Sequence, residues 1–274
     1  MSPSVSVVMA YHNRKELLKK TLETISNSQY DKSLVEVVIV DDGSDEEHRL
    51  EDLVESYSFK IKLIRVEPEE KWYVNPCVPY NVGFKAATGD IVIIQNPECC
   101  HVGDIIKAAA DMTTEERYIS FHTYALDQKD TASLKNISIS ASGDLPFKFK
   151  ERGIGTGYQS GYYNHVEYRP VGFHFCNSIR RSHLVEMGGF DERYAHGIGY
   201  DDNELLVRVL RKGLQLLYAY YPLALHQNHY KKEIGTFDDA YYGSPKFKQI
   251  QKNALLFMDV TMKEKEWKAN ESVE

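Results

Sequence analysis

Side chains that could bind a ligand or move a proton stand at several separate places in the chain. They are carboxylates and imidazoles, at Asp41, Asp42, Glu98, Asp201, Asp202, His226 and His229. A carboxylate can accept a hydrogen bond from a nucleobase or take a proton from a hydroxyl group. Glutamate and histidine together can hold Mg²⁺ or Mn²⁺. These residue types could support a metal-assisted group transfer if the fold brings them together.

The most informative local pattern is an acidic helix start, Gly199-Tyr200-Asp201-Asp202-Asn203-Glu204. At helical spacing, one face is apolar and consists of Leu205, Leu206, Val209 and Leu210. Asp202 lies in the middle of that face, and Glu204 lies on the opposite side. Asp201 and Glu204 are spaced as in a capping box, which leaves Asp202 without an evident structural role. A partly buried carboxylate at a helix N-terminus is a plausible general base, so we expect catalysis at Asp202.

A candidate metal site depends on residues that are far apart in the sequence. Glu98 follows the fourth predicted strand and is a hard oxygen donor for Mg²⁺ or Mn²⁺. One carboxylate is a weak site, so a second ligand must come from elsewhere, and His226 follows the last apolar strand. A histidine at a strand end is alternatively structural. His229 lies further beyond that strand, and we expect it to contribute less than His226.

Asp41 stands where a strand predicted to be buried ends. A carboxylate there could accept a hydrogen bond from a nucleobase N–H. Alternatively, Asp41-Asp42-Gly43-Ser44 caps the next helix, since Asp and Ser are good N-caps. The sequence lacks the GxGxxG and GxxxxGK[ST] patterns, which argues against a dinucleotide-dependent dehydrogenase and a P-loop enzyme.

These candidates fall at the ends of predicted strands that alternate with helices. Apolar β-rich runs predict strands at 4–10, 35–40, 60–66 and 91–95. Helical patterns follow the first strand and Asp45, and a short helix is predicted at 81–87. The alternation predicts an α/β fold with a Rossmann-like, mostly parallel central sheet flanked by helices. In such a fold the ligand lies beyond the carboxyl ends of the strands.

The second half of the chain is less regular. Between Asp127 and about Tyr168 the periodicity is lost over a stretch too long for an ordinary connection, which makes it a candidate mobile binding loop. The last ~30 residues predict an amphipathic C-terminal helix. Between these regions, regular patterns predict strands at 172–179, 214–221 and 223–225, and helices after Arg181 and at 202–212.

Composition excludes several classes of protein. The 274-residue chain has 33 Lys and Arg against 40 Asp and Glu, a formal net charge of −7, which argues against nucleic-acid and anionic-membrane partners. Its 42% hydrophobic and 27% charged residues are typical of a globular protein. No apolar stretch approaches the roughly 20 residues of a membrane-spanning helix, and the N-terminus shows no secretion-signal pattern. We therefore expect a cytoplasmic protein without a transmembrane segment.

Several motifs follow one another in a characteristic order over about residues 4–229. They are Val5-Ser6-Val7-Val8-Met9-Ala10-Tyr11-His12-Asn13-Arg14, Val38-Ile39-Val40-Asp41-Asp42-Gly43-Ser44, Asn81-Val82-Gly83 with Ala86 and Gly89-Asp90, Gly188-Gly189-Phe190-Asp191-Glu192, and Gly199-Tyr200-Asp201-Asp202. In this order they resemble the family 2 glycosyltransferases of the GT-A fold, and their joint occurrence is far more specific than any single motif. The resemblance implies a nucleotide-sugar donor, a divalent metal and inversion at the anomeric carbon.

The resemblance also implies roles for individual residues. Asp41 matches the residue that reads the nucleobase. Asp202 matches the general base, Asp201 its acidic neighbour, and His226 a histidine that can ligate the metal. Asp191 or Glu192 could contact the acceptor, although a surface turn is an alternative interpretation. Further positions at the nucleotide-sugar site are Ala10, Tyr11, Asn13, Arg14, Asn81 and Asn96.

One motif departs from the family pattern. Where an Asp-x-Asp is usual after the fourth strand, this chain reads Asn96-Pro97-Glu98. Glu98 can still bind a metal and Asn96 can still donate or accept hydrogen bonds, but one negative charge is missing. The affinity for a metal, and the need for one, are therefore open. Trp72, which precedes Asn75-Pro76, could line the donor pocket or pack in the core.

The sequence as a whole predicts a single GT-A domain at 1–235 and a C-terminal helical extension at 236–274. Within the domain, 1–105 is the expected nucleotide-binding half and 106–235 the expected acceptor-binding half. The expected activity is inverting transfer from a nucleotide sugar, most simply a UDP-sugar, to a glycan, lipid-linked or protein-linked acceptor, with Mn²⁺ or Mg²⁺. Two alternatives are a non-catalytic sugar- or protein-binding module on a degenerate transferase scaffold and a nucleotidyltransferase.

Overall fold

A mixed β-sheet runs through the molecule, and helices pack on both of its faces. The computed structural model describes residues 2–134, 137–139, 153–155, 160–229 and 244–263. Within these residues the sheet has nine strands. Their order is β3-β2-β1-β4-β8-β6-β9-β5, and β7 pairs with β6 outside this path. The α/β class expected from the alternation of strands and helices is confirmed.

The first half of the sheet is entirely parallel. It consists of β1 (Val5–Tyr11), β2 (Val35–Asp42), β3 (Lys60–Val66) and β4 (Ile91–Gln95). Each neighbouring pair among them runs in the same direction. The carboxyl ends of these strands therefore meet at one edge, as the apolar β-branched runs predict.

The second half reverses direction where β8 pairs antiparallel with β4. This half consists of β5 (Cys99–Val102), β6 (Arg117–Ala125), β7 (Gly161–Asn164), β8 (Cys176–Arg180) and β9 (Gln215–His226). Because β8 runs against β4, its first residue, Cys176, lies opposite Gln95, the last residue of β4. The segment that precedes β8 therefore reaches the carboxyl edge of the parallel half.

The helices cover two large hydrophobic cores, one on each face of the sheet, and a smaller third cluster. The helices are α1 (Lys15–Ser26), α2 (Cys77–Ala86), α3 (Ile105–Met112), α4 (Gln128–Leu134), α5 (Arg181–Met187), α6 (Asp201–Arg211) and α7 (Pro245–Lys263). Helix α4 packs in the third cluster. Along β1, Val7 faces the core that holds α1 and α3, and Val8 faces the core that holds α2, α5 and α6. This alternation follows from the two-residue period of a strand. Among the described residues, no helix has the length and apolar character needed to span a membrane.

Helix α2 packs unusually close to the parallel strands because of a glycine. A Cβ atom added at Gly83 would lie 2.5 Å from Cγ1 of Val8 and 3.3 Å from Cγ2 of Val40. Any side chain at this position would push the helix away from the sheet. The close contact holds the second half of α2 against β1 and β2.

Three local expectations are wrong. Instead of a helix after Asp45, the chain forms two short 3₁₀ turns, Glu46–His48 and Glu51–Leu53, since this polar segment buries too few apolar side chains to support a helix. The two strands expected at 214–221 and 223–225 form the single strand β9. The strand expected at 172–179 begins only at Cys176.

The stretch from Asp127 to Tyr168, expected to be an irregular loop, contains regular structure at both ends. Helix α4 begins at Gln128, and β7 occupies Gly161–Asn164 beside β6. Strand β7 is stabilised by its pairing with β6, and α4 by the packing of Leu134 in a hydrophobic cluster. These long-range contacts cannot be predicted from local hydrophobic periodicity. Most of the intervening stretch lies outside the described residues, as does the expected domain boundary at 235. The C-terminal helix is confirmed as α7.

Candidate active site

A cavity of about 480 Å³ opens at the carboxyl edge of the sheet. Its wall is built from the ends of β1, β2, β4 and β9, the segment before β8 and the start of α6. Polar and charged residues of this wall are His12, Arg14, Asp42, Lys71, Asn75, Asn96, Glu98, His174, Asp201, Asp202, His226 and His229. The structure thus gathers the candidate base and the candidate metal ligands, which are far apart in sequence, around one cavity.

Strand pairing explains how Glu98 meets two histidines. Cys99 at the start of β5 lies opposite His226 at the end of β9, and the backbone N–H of Gln227 donates to the carbonyl of Glu98 over 3.1 Å. The Nε2 atoms of His226 and His229 each lie 3.1 Å from Oε1 of Glu98. The expectation that His229 contributes less is therefore not supported, since both imidazoles lie equally close to the carboxylate.

Arg14 occupies the other side of the Glu98 carboxylate. Its Nη1 lies 3.1 Å from Oε1 and 3.0 Å from Oε2. Burial alone would raise the pKa of the fully buried Glu98, but the Arg14 charge and the hydrogen bonds from His226 and His229 hold it well below its usual value. Glu98 is therefore ionised at neutral pH despite its burial.

One carboxylate and two imidazoles form a donor set that fits a divalent metal. The ligand atoms of Glu98, His226 and His229 lie within 4.8 Å of one another. Burial lowers the pKa of His226, although Glu98 opposes that shift, so its imidazole is neutral and can donate a lone pair. Oxygen and imidazole nitrogen together suit Mn²⁺, and the diphosphate of a donor would have to supply further ligands.

Asp202 lies at the cavity wall and is held by His174. Its Oδ1 accepts one hydrogen bond from the backbone N–H of His174 over 2.9 Å and lies 2.6 Å from the ring Nδ1 of the same residue. Together with Asp201, these two residues also bring potential ligand atoms within 4.8 Å of one another. The 2.6 Å between Nδ1 and Oδ1 is shorter than the about 3 Å between adjacent ligands of an octahedral ion, whereas the 3.1 Å separations at Glu98 match that spacing. Glu98 and the two histidines are therefore the better candidate metal group.

Asp201 has a different environment from its neighbour. It is buried, and its Oδ1 accepts a hydrogen bond from the side-chain amide of Asn75 over 3.1 Å. Burial and, next in size, the charge of Asp202 raise the pKa of Asp201. The two adjacent carboxylates therefore have different partners. Asp201 accepts a hydrogen bond from an amide, and Asp202 contacts the imidazole of His174.

The expected orientation of helix α6 is wrong in two respects. Glu204, expected on the open side, is fully buried and pairs with Arg208, whereas Leu210, expected in the core, is 49% exposed. Arg208 also donates to the carbonyls of Met187 and Gly189 over 2.8 and 2.7 Å. Helix α6 therefore packs the side that carries Glu204 and Arg208 against the end of α5. Glu204 forms an ion pair with Arg208 and does not take part in a capping box.

Asp41 and Asp42 have separate surroundings at the end of β2. Asp41 is fully buried, with Oδ2 3.0 Å from Nη1 of Arg65 and Oδ1 accepting from the Ser44 N–H. Asp42 lines the cavity, where its carboxylate contacts Lys71 Nζ at 2.9 Å and the Tyr73 hydroxyl at 2.7 Å. The role of Asp41 in reading a nucleobase stays a prediction.

The loop after β1 is tied to the loop after β2. Asn13 has a positive φ of 49°, its N–H donates to Oγ of Ser44 over 3.0 Å, and its amide donates to Asp45 over 2.7 Å. These bonds fix the turn that carries Ala10, Tyr11 and Arg14 to the cavity. Asn13 therefore holds the shape of the expected donor site from behind its wall.

Residues 6–182 match the protein family described as Glycosyl transferase family 2. This chain belongs to that family. In sequence it is similar to the probable glycosyltransferase YdaM of Bacillus subtilis (strain 168), with 25% identity over 233 residues. That match covers 81% of this chain and 50% of YdaM, so the chain spans about half the length of this relative.

Solved structures with a similar fold carry nucleotides and manganese. GalNAc-T7 with UDP, GalNAc and Mn²⁺ has a TM-score of 0.65 at 19% identity, over 94% of this chain and 48% of GalNAc-T7. The mannosyltransferase PcManGT from Pyrobaculum calidifontis, in complex with GDP-Man and Mn²⁺, has a TM-score of 0.58 at 14% identity, over 98% of this chain and 78% of PcManGT. At these identities the similarity shows the fold, and it confirms the expected GT-A class.

Three further positions expected from the family 2 motifs, Asn81 on α2 and Asp191 and Glu192 after α5, are not among the residues that line the cavity. Oδ1 of Asn81 accepts from the N–H of Phe190 over 2.8 Å, and its Nδ2 donates to Glu192 over 2.9 Å. Asp191 is fully buried and pairs with Arg193. A Cβ atom added at Gly189, whose φ is +67°, would lie 2.3 Å from Oδ1 of Asn81. The donor role of Asn81 and the acceptor roles of Asp191 and Glu192 stay predictions.

Asn96 lines the cavity, whereas Trp72 is not among the residues that line it. Oδ1 of Asn96 accepts from the Tyr80 hydroxyl over 3.1 Å at the cavity wall. Trp72 is 55% exposed and meets His196 edge to face, with ring centroids 5.6 Å apart. Of the two positions expected for Trp72, packing in the core is excluded, and lining of the donor pocket stays a prediction.

The sequence analysis gave His229 less weight than its position supports, and it did not identify His174. His226-x-x-His229 is a short spacing directly after a strand, which is a signal for both imidazoles. His174 carries no local signal, since it lies in an irregular segment and reaches Asp202 only through the antiparallel pairing of β8 with β4.

Proposed function

We propose that this chain is an inverting glycosyltransferase that transfers a sugar from a nucleotide-sugar donor to an acceptor hydroxyl group. Asp202 takes the proton of that hydroxyl while its oxygen attacks the anomeric carbon. The bond between this carbon and the diphosphate breaks, and its electron pair leaves with the nucleoside diphosphate. The observation that carries the proposal is that Asp202 and the group of Glu98, His226 and His229 line one cavity.

The proposed donor is a UDP-sugar. Family 2 membership supports a nucleotide-sugar donor, and GalNAc-T7, which shares the fold, is known with UDP and GalNAc. PcManGT, with the same fold, is known with GDP-Man, so the choice of UDP needs a direct test. Ala10, Tyr11 and Asp42 line the cavity at the ends of β1 and β2, which supports a nucleotide at this end.

The proposed metal is Mn²⁺ or Mg²⁺, held by Glu98, His226 and His229. When bound, it would neutralise charge on the departing diphosphate. Arg14 adds a second positive charge, since its guanidinium already lies beside Glu98. The carboxylate missing from the family's Asp-x-Asp pattern is thus replaced by two imidazoles as candidate metal ligands, and they lie beside the remaining carboxylate of Glu98.

The proposed acceptor is a hydroxyl group of a glycan, of a lipid-linked sugar or of a protein. Its hydroxyl must come within hydrogen-bonding distance of Asp202, at the part of the cavity formed by Gly199 and Ile198. A non-catalytic binding module is the alternative that Asn96 favours. Such a module would bind a nucleotide sugar without transferring or hydrolysing its sugar.

A thermal-shift panel of nucleotide sugars, each with and without Mn²⁺, tests the proposal. A bound donor raises the apparent stability by mass action, so we expect UDP-sugars to raise the melting temperature, and to raise it more with Mn²⁺. Glu98→Gln should remove most of the Mn²⁺-dependent part of the shift, whereas Glu116→Gln, an exposed substitution remote from the cavity, should leave it unchanged. If no nucleotide sugar shifts the melting temperature, the proposed function is wrong.

A further inference from the structure

His174 is a partly buried imidazole at the cavity wall, with its side chain 14% exposed, and the family 2 motifs provide no role for it. It reaches Asp202 twice, through its backbone N–H over 2.9 Å and through its ring Nδ1 over 2.6 Å. Both contacts are made to the same oxygen, Oδ1. The side chain of Asp202 is 16% exposed, so it borders the cavity while the imidazole holds it from behind.

Aromatic side chains fix the His174 ring in this position. Its centroid lies 5.3 Å from the ring of Tyr80, 5.7 Å from that of Phe175 and 6.0 Å from that of Phe190. Tyr80 is itself tied to the end of β4, because its hydroxyl donates to the carbonyl of Gln95 over 2.9 Å. The imidazole is therefore a rigid part of the wall, held by α2, by the segment before β8 and by the residues after α5.

We infer that His174 is a positioning residue which, as an imidazolium ion, holds Asp202 ionised and turned with Oδ2 toward the acceptor. The inference rests on the proposed role of Asp202 as general base. The proton of the acceptor hydroxyl moves to Oδ2, and Oδ1 continues to accept the hydrogen bonds of His174. No other co-reactant is needed. The arrangement restricts the carboxylate to one orientation, which lowers the cost of reaching the geometry for proton transfer.

The charges that face His174 support a protonated ring at neutral pH. Burial lowers the pKa of His174, but the charge and hydrogen bond of Asp202, followed by the charges of Asp201 and Glu98, raise it to about 9. The acidic groups come from the start of α6 and from the turn after β4. The rings of Tyr80, Phe175 and Phe190, which pack on the imidazole, are uncharged at this pH.

A titration of the histidine ring nitrogens by NMR, on the full chain, tests the ion pair without any need for turnover. His174→Asn, which lacks the ring, identifies the signals of His174. We expect these signals to titrate near pH 9 in the parent protein and below pH 7 in Asp202→Asn, where the charge of the partner is gone. A ring that titrates at or below 6.5 in the parent, or equally in both proteins, would overturn the inference.

A comparison of His174→Ala and His174→Asn separates orientation from charge. The asparagine amide can donate from about the place of Nδ1, but it is neutral. With the UDP-sugar selected by the thermal-shift panel, we expect His174→Ala to lower the plateau kcat by about 10-fold or more, with little change in the donor KM. His174→Asn should restore much of the plateau.

The acidic limb of the pH profile of kcat tests whether the positive charge of His174 acts on Asp202. Both variants remove a positive charge beside the proposed general base, so this limb should move to higher pH in both, even where His174→Asn restores the plateau. A merely structural role would lower activity without moving the limb, and that result would overturn the inference. If the parent turns over no nucleotide sugar, the proposed function fails, and the NMR titration still decides whether the ion pair exists.

Discussion

Burial alone does not determine the charge of the carboxylates at this site. Glu98 and Asp201 are both buried, yet the pKa of Glu98 is lowered and that of Asp201 is raised. Glu98 has Arg14 and two imidazoles beside it, whereas Asp201 has an amide and the like charge of Asp202. Separate proton affinities for neighbouring acids are typical of catalytic sites, because each group can then serve one role.

We predict that metal and nucleotide bind cooperatively. Glu98, His226 and His229 give a metal only three protein ligands, so the free protein should bind Mn²⁺ weakly, and a nucleoside diphosphate should tighten that binding by supplying oxygen atoms. By linkage, Mn²⁺ must tighten the nucleotide by the same factor, for which we expect about 10-fold or more. Isothermal titration calorimetry with UDP, in Mn²⁺ or in EDTA, measures the factor directly.

Single substitutions assign this cooperativity to the three ligands. His226→Ala and His229→Ala should each remove most of the coupling, because the two imidazoles lie equally close to Glu98. His183→Ala is the matched control, since this imidazole contacts Glu115 at 3.2 Å on another surface. Equal affinities for UDP in Mn²⁺ and in EDTA would show that Arg14 and the imidazoles act without a metal.

Among the secondary-structure elements, the apolar parallel strands could be predicted from the sequence, but the buried side of a helix with both polar and apolar residues could not. The parallel strands β1 to β4 match the apolar runs to within two residues, because β1, β2 and β4 are buried on both faces, and β3, which is only partly buried at the edge of the sheet, still has an apolar run. Helix α6 was placed correctly, but its buried side was not, since a helical wheel treats Glu204 and Arg208 as solvent-exposed. The two residues are buried together because they neutralise each other and because Arg208 caps the end of α5.

The buried pair of Glu204 and Arg208 should contribute strongly to stability. Its two contacts are 2.5 and 2.7 Å long, and both side chains are buried. Arg208→Met leaves Glu204 without its charge partner and should lower the free energy of unfolding by about 3–5 kcal/mol in a urea titration. Lys107→Met breaks an exposed i, i+4 pair with Asp111 and should change it by less than about 0.5 kcal/mol.

A double substitution distinguishes loss of pairing from loss of packing. In Glu204→Leu with Arg208→Met, no buried charge remains, so most of the stability lost in Arg208→Met should return. A double variant as unstable as the sum of the two single variants would show that the carbonyl contacts to Met187 and Gly189 matter more than the pair itself.

At the scale of the whole molecule, the site exists because the sheet changes direction beside β4. The parallel half brings the end of β2 and the turn with Glu98 to one edge, and the antiparallel β8 begins at that same edge with His174 just before it. The pairing of β5 with β9 then delivers His226. Local sequence patterns predicted the parallel half, but they carry no information about pairings between strands so far apart in the chain.

The expected division into a nucleotide-binding half at 1–105 and an acceptor-binding half at 106–235 stays a prediction. Neither half contains the whole cavity, since Asp42 and Glu98 come from the first and His174, Asp202 and His226 from the second. Both halves also contribute strands to one continuous sheet. The proposed chemistry therefore depends on the folded chain as a unit.

The most direct test of Asp202 as the general base is the rate at which the Asp202→Asn variant releases UDP from a saturating UDP-sugar. Asparagine keeps the shape of aspartate but cannot take the proton, so turnover should fall by roughly 100-fold or more while the donor still raises the melting temperature as in the parent. Asp111→Asn, an exposed substitution on α3, should turn over normally. An Asp202→Asn variant that works at the parental rate would contradict the assignment of Asp202 as the general base.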